Sequence, residues 1–66
     1  MLRILTCVVV EDELLAQQAF VQSLGRLSSL RVLAVFTNPV EAFDQLPSLK
    51  PDVLFVDVHL PENRIV

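Results

Sequence analysis

Glycine is almost missing from this sequence: Gly25 is the only one in 66 residues. A Gly-rich loop that cradles phosphate directly after a strand is therefore excluded, and with it the nucleotide-binding α/β enzymes that depend on one. Cysteine is equally scarce. Cys7 stands alone inside an apolar run, which rules out an intramolecular disulfide and any Cys/His metal spacing and leaves a small buried hydrophobe. Positive charge is thin: Arg3, Arg26, Arg31, Lys50 and Arg64 are scattered, and the net charge is −3. No basic stripe follows, so direct contact with a nucleic-acid backbone is not expected. No apolar stretch approaches the ~20 residues of a membrane span, and no basic segment leads into an apolar core and a small-residue cleavage site. The resulting expectation is a cytoplasmic protein with no membrane contact.

Apolar residues are what the chain has in abundance, at 53%. A chain this short buries only roughly 60% of the surface its unfolded form exposes, so that much apolar content is hard to hide. The sequence reads as one small domain or a piece of a larger one, without repeat, low-complexity tract or linker.

Residues 2–10 (LRILTCVVV) form a strand-like apolar run that turns acidic at Glu11, Asp12 and Glu13. Over residues 13–27 the spacing becomes helical. Ala16, Phe20, Leu24 and Leu27 share a face flanked by Ala19 and Ser23, with Gln18, Gln22 and Arg26 opposite. Acidic residues in the first turn of that helix face its positive end, and Gly25 is a late helical residue or the stop signal. Residues 30–36 (LRVLAVF) read as a second strand. Asn38 then reads as a helix N-cap, Pro39 as the first helical residue and Glu41 as the partner in a capping box. The predicted second helix runs from 39 to about 46, buries Val40, Phe43 and Leu46 with Ala42 to one side, and ends at Pro47. After a short loop, PDVLFVDVHLP (residues 51–61) carries a third strand, 53–56, expected to be buried on both faces, with Asp57 where it runs out. Asp44 and Asp52 read as ordinary surface or turn residues. Phe20, Phe36, Phe43 and Phe55 read as core.

The β-α-β-α-β alternation with short connections argues for a parallel sheet. In strand order 2-1-3 the first and third strands are neighbours, and Glu11 and Asp12 meet Asp57 at the carboxyl ends, where open α/β sheets bind ligands. Three clustered carboxylates repel one another and call for a cation. Mg²⁺, a small hard dication, suits carboxylates, waters and phosphoryl oxygens together. It would screen an anionic nucleophile from an anionic phosphoryl donor, and Asp57 could then attack phosphorus and hold an acyl phosphate. Each motif alone has a plainer reading: Glu11, Asp12 and Glu13 as a solvated helix start, Asp57 as a loop carboxylate capping a turn. Jointly, at neighbouring strand ends, they favour a site.

VVVEDE at 8–13 and FVDVHLP at 55–61 resemble the two acidic motifs of response-regulator receiver domains. The resemblance implies a partial flavodoxin-like fold in which an acidic pair binds the metal and an aspartate is phosphorylated by a histidine kinase. It matches Glu11 and Asp12 to the acidic pair, with Asp12 the more direct ligand, and Asp57 to the phosphoacceptor. His59 falls where a backbone carbonyl completes the metal shell, without need of its imidazole, and Pro61 on the proline that follows the phosphoacceptor by four. The segment from Glu11 to Leu46 further resembles receivers of the LytTR type, whose output domain binds DNA. Receivers also use a Ser or Thr at the end of a fourth strand and a Lys at the end of a fifth, neither within these residues, and a glycine near position 65, where Ile65 stands. The chain is thus expected to be the first three-fifths of a receiver, without strands 4–5 and helices 3–5.

The expected function is that of a phosphoacceptor module controlling an output such as transcription, not a classical enzyme. The alternative is a non-catalytic fragment acting through association, homodimerisation included, because an apolar sheet edge recruits other chains. A third reading, an acidic-site phosphatase, lacks the second aspartate two residues after Asp57.

Overall fold

The computed structural model describes residues 3–57. Five elements follow one another: β1 (Leu5–Glu11), α1 (Leu14–Leu24), β2 (Leu30–Phe36), α2 (Pro39–Leu49) and β3 (Val53–Asp57). The three strands are parallel in the order β2-β1-β3, as the alternation predicts, and the fold is a partial flavodoxin-like one. No helix among the described residues is long and apolar enough to cross a membrane.

β1 is the centre. Cys7, Val8, Val9 and Val10 are each at most 1% exposed, because the strand is paired on both edges and covered on both faces. Alternation along a strand sends successive side chains to opposite faces. Cys7 and Val9 accordingly pack with Leu24 and Val21 of α1, and Val8 and Val10 with Ala42, Leu46 and Leu49 of α2. In the β1–β2 ladder Cys7 opposes Val32 but Val8 opposes Ala34, so Leu33 is an extra residue in β2. Leu30 and Val32 lie on the α1 side, whereas Leu33, Ala34 and Phe36 all join the α2 side. Phe20 of α1 meets Phe55 of β3 edge to face, 5.2 Å between centroids, which ties the first helix to the third strand.

Both helices bury a face other than the one the spacing predicts. In α1 only Leu24 of the expected set is buried; Phe20 is 37% exposed, and Leu27 lies past the helix end at 52%. The inward stripe is Gln17, Val21 and Leu24, with Gly25 as the C-cap. In α2, Val40 and Phe43 are 67% and 52% exposed, while Ala42 is fully buried and Leu46 and Leu49 pack beside it. Pro47 does not end the helix. Proline removes one N–H and crowds the carbonyl four residues back, a cost confined here to the last turn. Packing of Leu49 on the core outweighs it, and the helix closes at Lys50, left-handed at φ 49°, whose N–H donates to the Leu46 carbonyl at 2.8 Å. At the other end Asn38 Oδ1 accepts from Val40 N at 2.8 Å, so the cap bonds the second helical amide and not Glu41 through a box. β3 is likewise not buried on both faces: Leu54 and Val56 are 37% and 46% exposed.

Asp52, read from the sequence as an ordinary turn residue, clips the amino ends of β1 and β3 together. Its carboxylate accepts from Thr6 N at 2.8 Å, from Thr6 Oγ1 at 3.1 Å and from Arg3 at 3.0 Å, while its own N–H donates to the Thr6 carbonyl at 3.0 Å. The Thr6 amide and hydroxyl, aided by the Arg3 charge, hold the Asp52 carboxyl below its ordinary value.

Two outcomes are expected. Leu46→Ala lowers stability by about 2 kcal/mol through lost burial, whereas Phe43→Ser changes it by no more than about 0.5 kcal/mol; denaturant unfolding of both variants checks the assignment of the buried face. Since the folded pKa of Asp52 is depressed, its stabilisation is complete above the unfolded value of about 3.9 and is lost as pH falls through the lower folded value. Asp52→Asn is therefore less stable than the parent near neutrality, and the gap narrows on acidification below about pH 4. A gap independent of pH would show that the clip does not depend on ionisation.

Candidate functional site

The carboxyl ends of β1 and β3 bring two of the predicted residues together. Glu11 and Asp57 are register partners, the last pair of the β1–β3 ladder. Asp12 and Glu13 follow at once in the turn that enters α1. Beside the pair opens a cleft of about 520 Å³, lined by Val10, Phe20, Phe55 and Val56 and by both acidic residues.

The geometry assigns different tasks to Glu11 and Glu13 within this acidic run. Glu13 is the N-cap of α1: its Oε1 accepts from Leu15 N at 2.6 Å and Ala16 N at 3.3 Å, satisfying helix amides that otherwise have no partner. It precedes the first turn, which contains no acidic residue. Glu11 is 4% exposed, and its Oε2 accepts from Glu13 N at 2.9 Å, so its carboxylate braces the turn. Asp12 and Asp57 are exposed. Asp57 is the last residue of β3 and is open to solvent.

Gln17, which the periodicity left unassigned, is drawn into this region. Its Nε2 donates to the carbonyls of Glu11, at 3.1 Å, and Phe36, at 3.3 Å, the last residues of β1 and β2. The apolar spacing carries no signal for it, because a polar residue between the apolar positions counts as solvent-facing. Cys7 is fully buried as expected, and burial pushes its thiol pKa up.

Carboxylates are hard oxygen donors, the donor type a small dication such as Mg²⁺ takes, but the expected gathering of Glu11, Asp12 and Asp57 into one cluster is not found. Among the described residues no three His, Cys, Asp or Glu side chains are gathered into a metal-holding group. His59 and Pro61 lie outside the described residues.

A parallel sheet in order 2-1-3, helices on both faces and acidic residues at the ends of its first and third strands define the class: a receiver-type α/β domain. The chain is 30% identical over 57 residues to an uncharacterized response regulatory protein of Shewanella oneidensis, covering 86% of this chain and 24% of that protein. It is 28% identical over 58 residues to one of Vibrio cholerae, covering 88% and 24%. To the positive alginate biosynthesis regulatory protein of Pseudomonas aeruginosa it is 37% identical over 54 residues, covering 80% and 22%. The chain spans about a quarter of the length of the curated relatives it matches. No family model matches it, and no solved structure matches at the stringency these relatives pass. These similarities, with the fold, support a receiver domain of the response-regulator kind.

The division of labour among the acids is testable through stability. Glu13→Ala is expected to cost about 1 kcal/mol through the lost cap, and Glu13→Ser to restore most of it, because serine is a preferred N-cap. Thermal or denaturant unfolding reads both. An Ala variant as stable as the parent would remove Glu13 from the capping role.

Proposed function

We propose that this chain carries the phosphoacceptor of a two-component response regulator, and that Asp57 receives the phosphoryl group from the phosphohistidine of a histidine kinase. The observation that carries this reading is the register that sets Asp57 opposite Glu11 at neighbouring strand ends. An oxygen of the Asp57 carboxylate attacks phosphorus, the N–P bond of the donor breaks, and its electron pair returns to the imidazole, leaving an acyl phosphate. Hydrolysis of that acyl phosphate by water restores the carboxylate and releases inorganic phosphate. Glu11, Asp12 and Asp57, with the backbone carbonyl of His59, would hold Mg²⁺. The ion supplies positive charge that offsets the repulsion between an anionic nucleophile and an anionic donor.

On this reading residues 1–66 form the first three-fifths of a cytoplasmic receiver, and the remainder supplies the Ser or Thr and the Lys that such domains use. The output is transcription through a LytTR-type DNA-binding domain outside this chain. The Pseudomonas aeruginosa relative, named as a positive regulator of alginate biosynthesis, supports that direction. With its basic residues scattered, this chain itself does not contact DNA.

Incubated with a small-molecule phosphodonor and Mg²⁺, the full-length protein is expected to acquire a phosphoryl label that hydroxylamine removes, as it does acyl phosphates. Asp57→Asn abolishes the label, and Asp12→Asn reduces it at least tenfold. Equal labelling of Asp57→Asn overturns the assignment.

A further inference from the structure

The pairing of Glu11 with Asp57 closes one end of the β1–β3 ladder, and Cys7 with Val53 opens the other. The residues just before that first pair, Thr6 and Asp52, bond each other through side chains as well as backbone. The Asp52 carboxylate accepts from Thr6 N and Oγ1, and Asp52 N donates to the Thr6 carbonyl at 3.0 Å and to the Thr6 hydroxyl at 3.1 Å. Arg3 adds an ion pair, but its side chain is 75% exposed, so it contributes little. Apolar burial does not choose this register by itself. Side chains alternate with a period of two, so a shift of two residues returns each of them to the face it already occupies, with Val53 and Phe55 still on the α1 side. One such shift brings Asp57 opposite Val9, and the other brings Phe55 opposite Glu11. Residues 53–56 are all apolar, and Leu54 and Val56 are exposed in the register observed, so lost burial rejects neither shift. The Thr6–Asp52 bonds reject both: two residues at ~3.3 Å each carry the partners ~6 Å out of line, beyond hydrogen-bond reach.

We infer that Thr6 and Asp52 are positioning residues for Asp57: their bonds hold β3 in the one register that sets the Asp57 carboxylate opposite Glu11. The inference deepens the proposed function and rests on it for the role of Asp57. Both residues act through the β3 backbone from the amino end of the ladder, and neither lines the cleft beside Asp57. Alanine at position 52 removes the acceptor of both Thr6 donors. Valine at position 6 keeps the backbone amide and loses the hydroxyl, and serine keeps both.

Two readouts on the full-length protein test it. In amide hydrogen exchange, Asp52→Ala is expected to lose protection along the β1–β3 ladder and keep it along β1–β2, Thr6→Val to show the same pattern more weakly, and Thr6→Ser to match the parent. In phosphoryl labelling by a small-molecule phosphodonor with Mg²⁺, the initial rate of Asp52→Ala is expected to fall at least about tenfold, within what a misplacement of ~1 Å costs a reacting group. Thr6→Ser labels like the parent. Leu46→Ala, which loosens the core under α2 and leaves the Thr6–Asp52 bonds in place, controls for general destabilisation and also labels like the parent. Protection in Asp52→Ala that is unchanged along β1–β3, or lost equally from both ladders, overturns the inference, as does a rate that falls as far in Leu46→Ala as in Asp52→Ala. Labelling of Asp57→Asn at the parent rate overturns the phosphoacceptor instead, and hydrogen exchange alone then decides the register.

Discussion

Burial of β1 on both faces and both edges is the constraint from which the rest of this structure follows. Four consecutive side chains, Cys7 to Val10, have essentially no contact with water. At about 1.5–3 kcal/mol per fully buried aliphatic side chain, the three valines alone contribute more than any single polar contact described here. Their alternation dictates that one helix lie on each face, with α1 over Cys7 and Val9 and α2 over Val8 and Val10. A strand so enclosed cannot place a charge along its length. Its first carboxylate, Glu11, comes at the last residue, and even there it is 4% exposed and accepts from the Glu13 amide.

Much of this was legible because the relevant forces are local. Runs of β-branched residues identify the strands, and short connections through helical segments leave few topologies, from which order 2-1-3 and the meeting of Glu11 with Asp57 follow. The helix faces were not legible in the same way. On α2 the buried stripe is Pro39, Ala42, Leu46 and Leu49, and it is complete only if the helix runs past Pro47. With the helix stopped at 46, the larger Val40 and Phe43 claim the inward face by size. On α1 the inward face begins with Gln17, which any count of apolar residues assigns to solvent. In both cases tertiary packing overrode local preference, a proline in one helix and a polar side chain in the other.

The candidate site divides similarly. That acidic residues gather at two strand ends is a matter of sequence and topology. Which acid does what depends on distances of a few ångströms, and there neighbours differ: Glu13 caps α1, while the buried Glu11 carboxylate accepts from the Glu13 amide. Asp52 shows the same limit at the other end of the sheet. Its partner, Thr6, is 46 residues away in the chain, beyond the reach of any local motif.

That distant clip bears directly on the site. Thr6 precedes Glu11 by five residues in β1, and Asp52 precedes Asp57 by five residues on the way into and along β3. With Thr6 and Asp52 bonded through both backbone and side chain, the ladder Cys7–Val53 to Glu11–Asp57 counts out in step. A slip of one residue would send Val53 and Phe55 to the wrong face and Leu54 and Val56 into the α1 side, while moving Asp57 out of line with Glu11. β3 is the less buried strand, so apolar burial discriminates weakly between these registers. The polar clip at the amino end therefore adds register specificity that the hydrophobic core does not supply, and the alignment of the two carboxylates at the far end is its consequence.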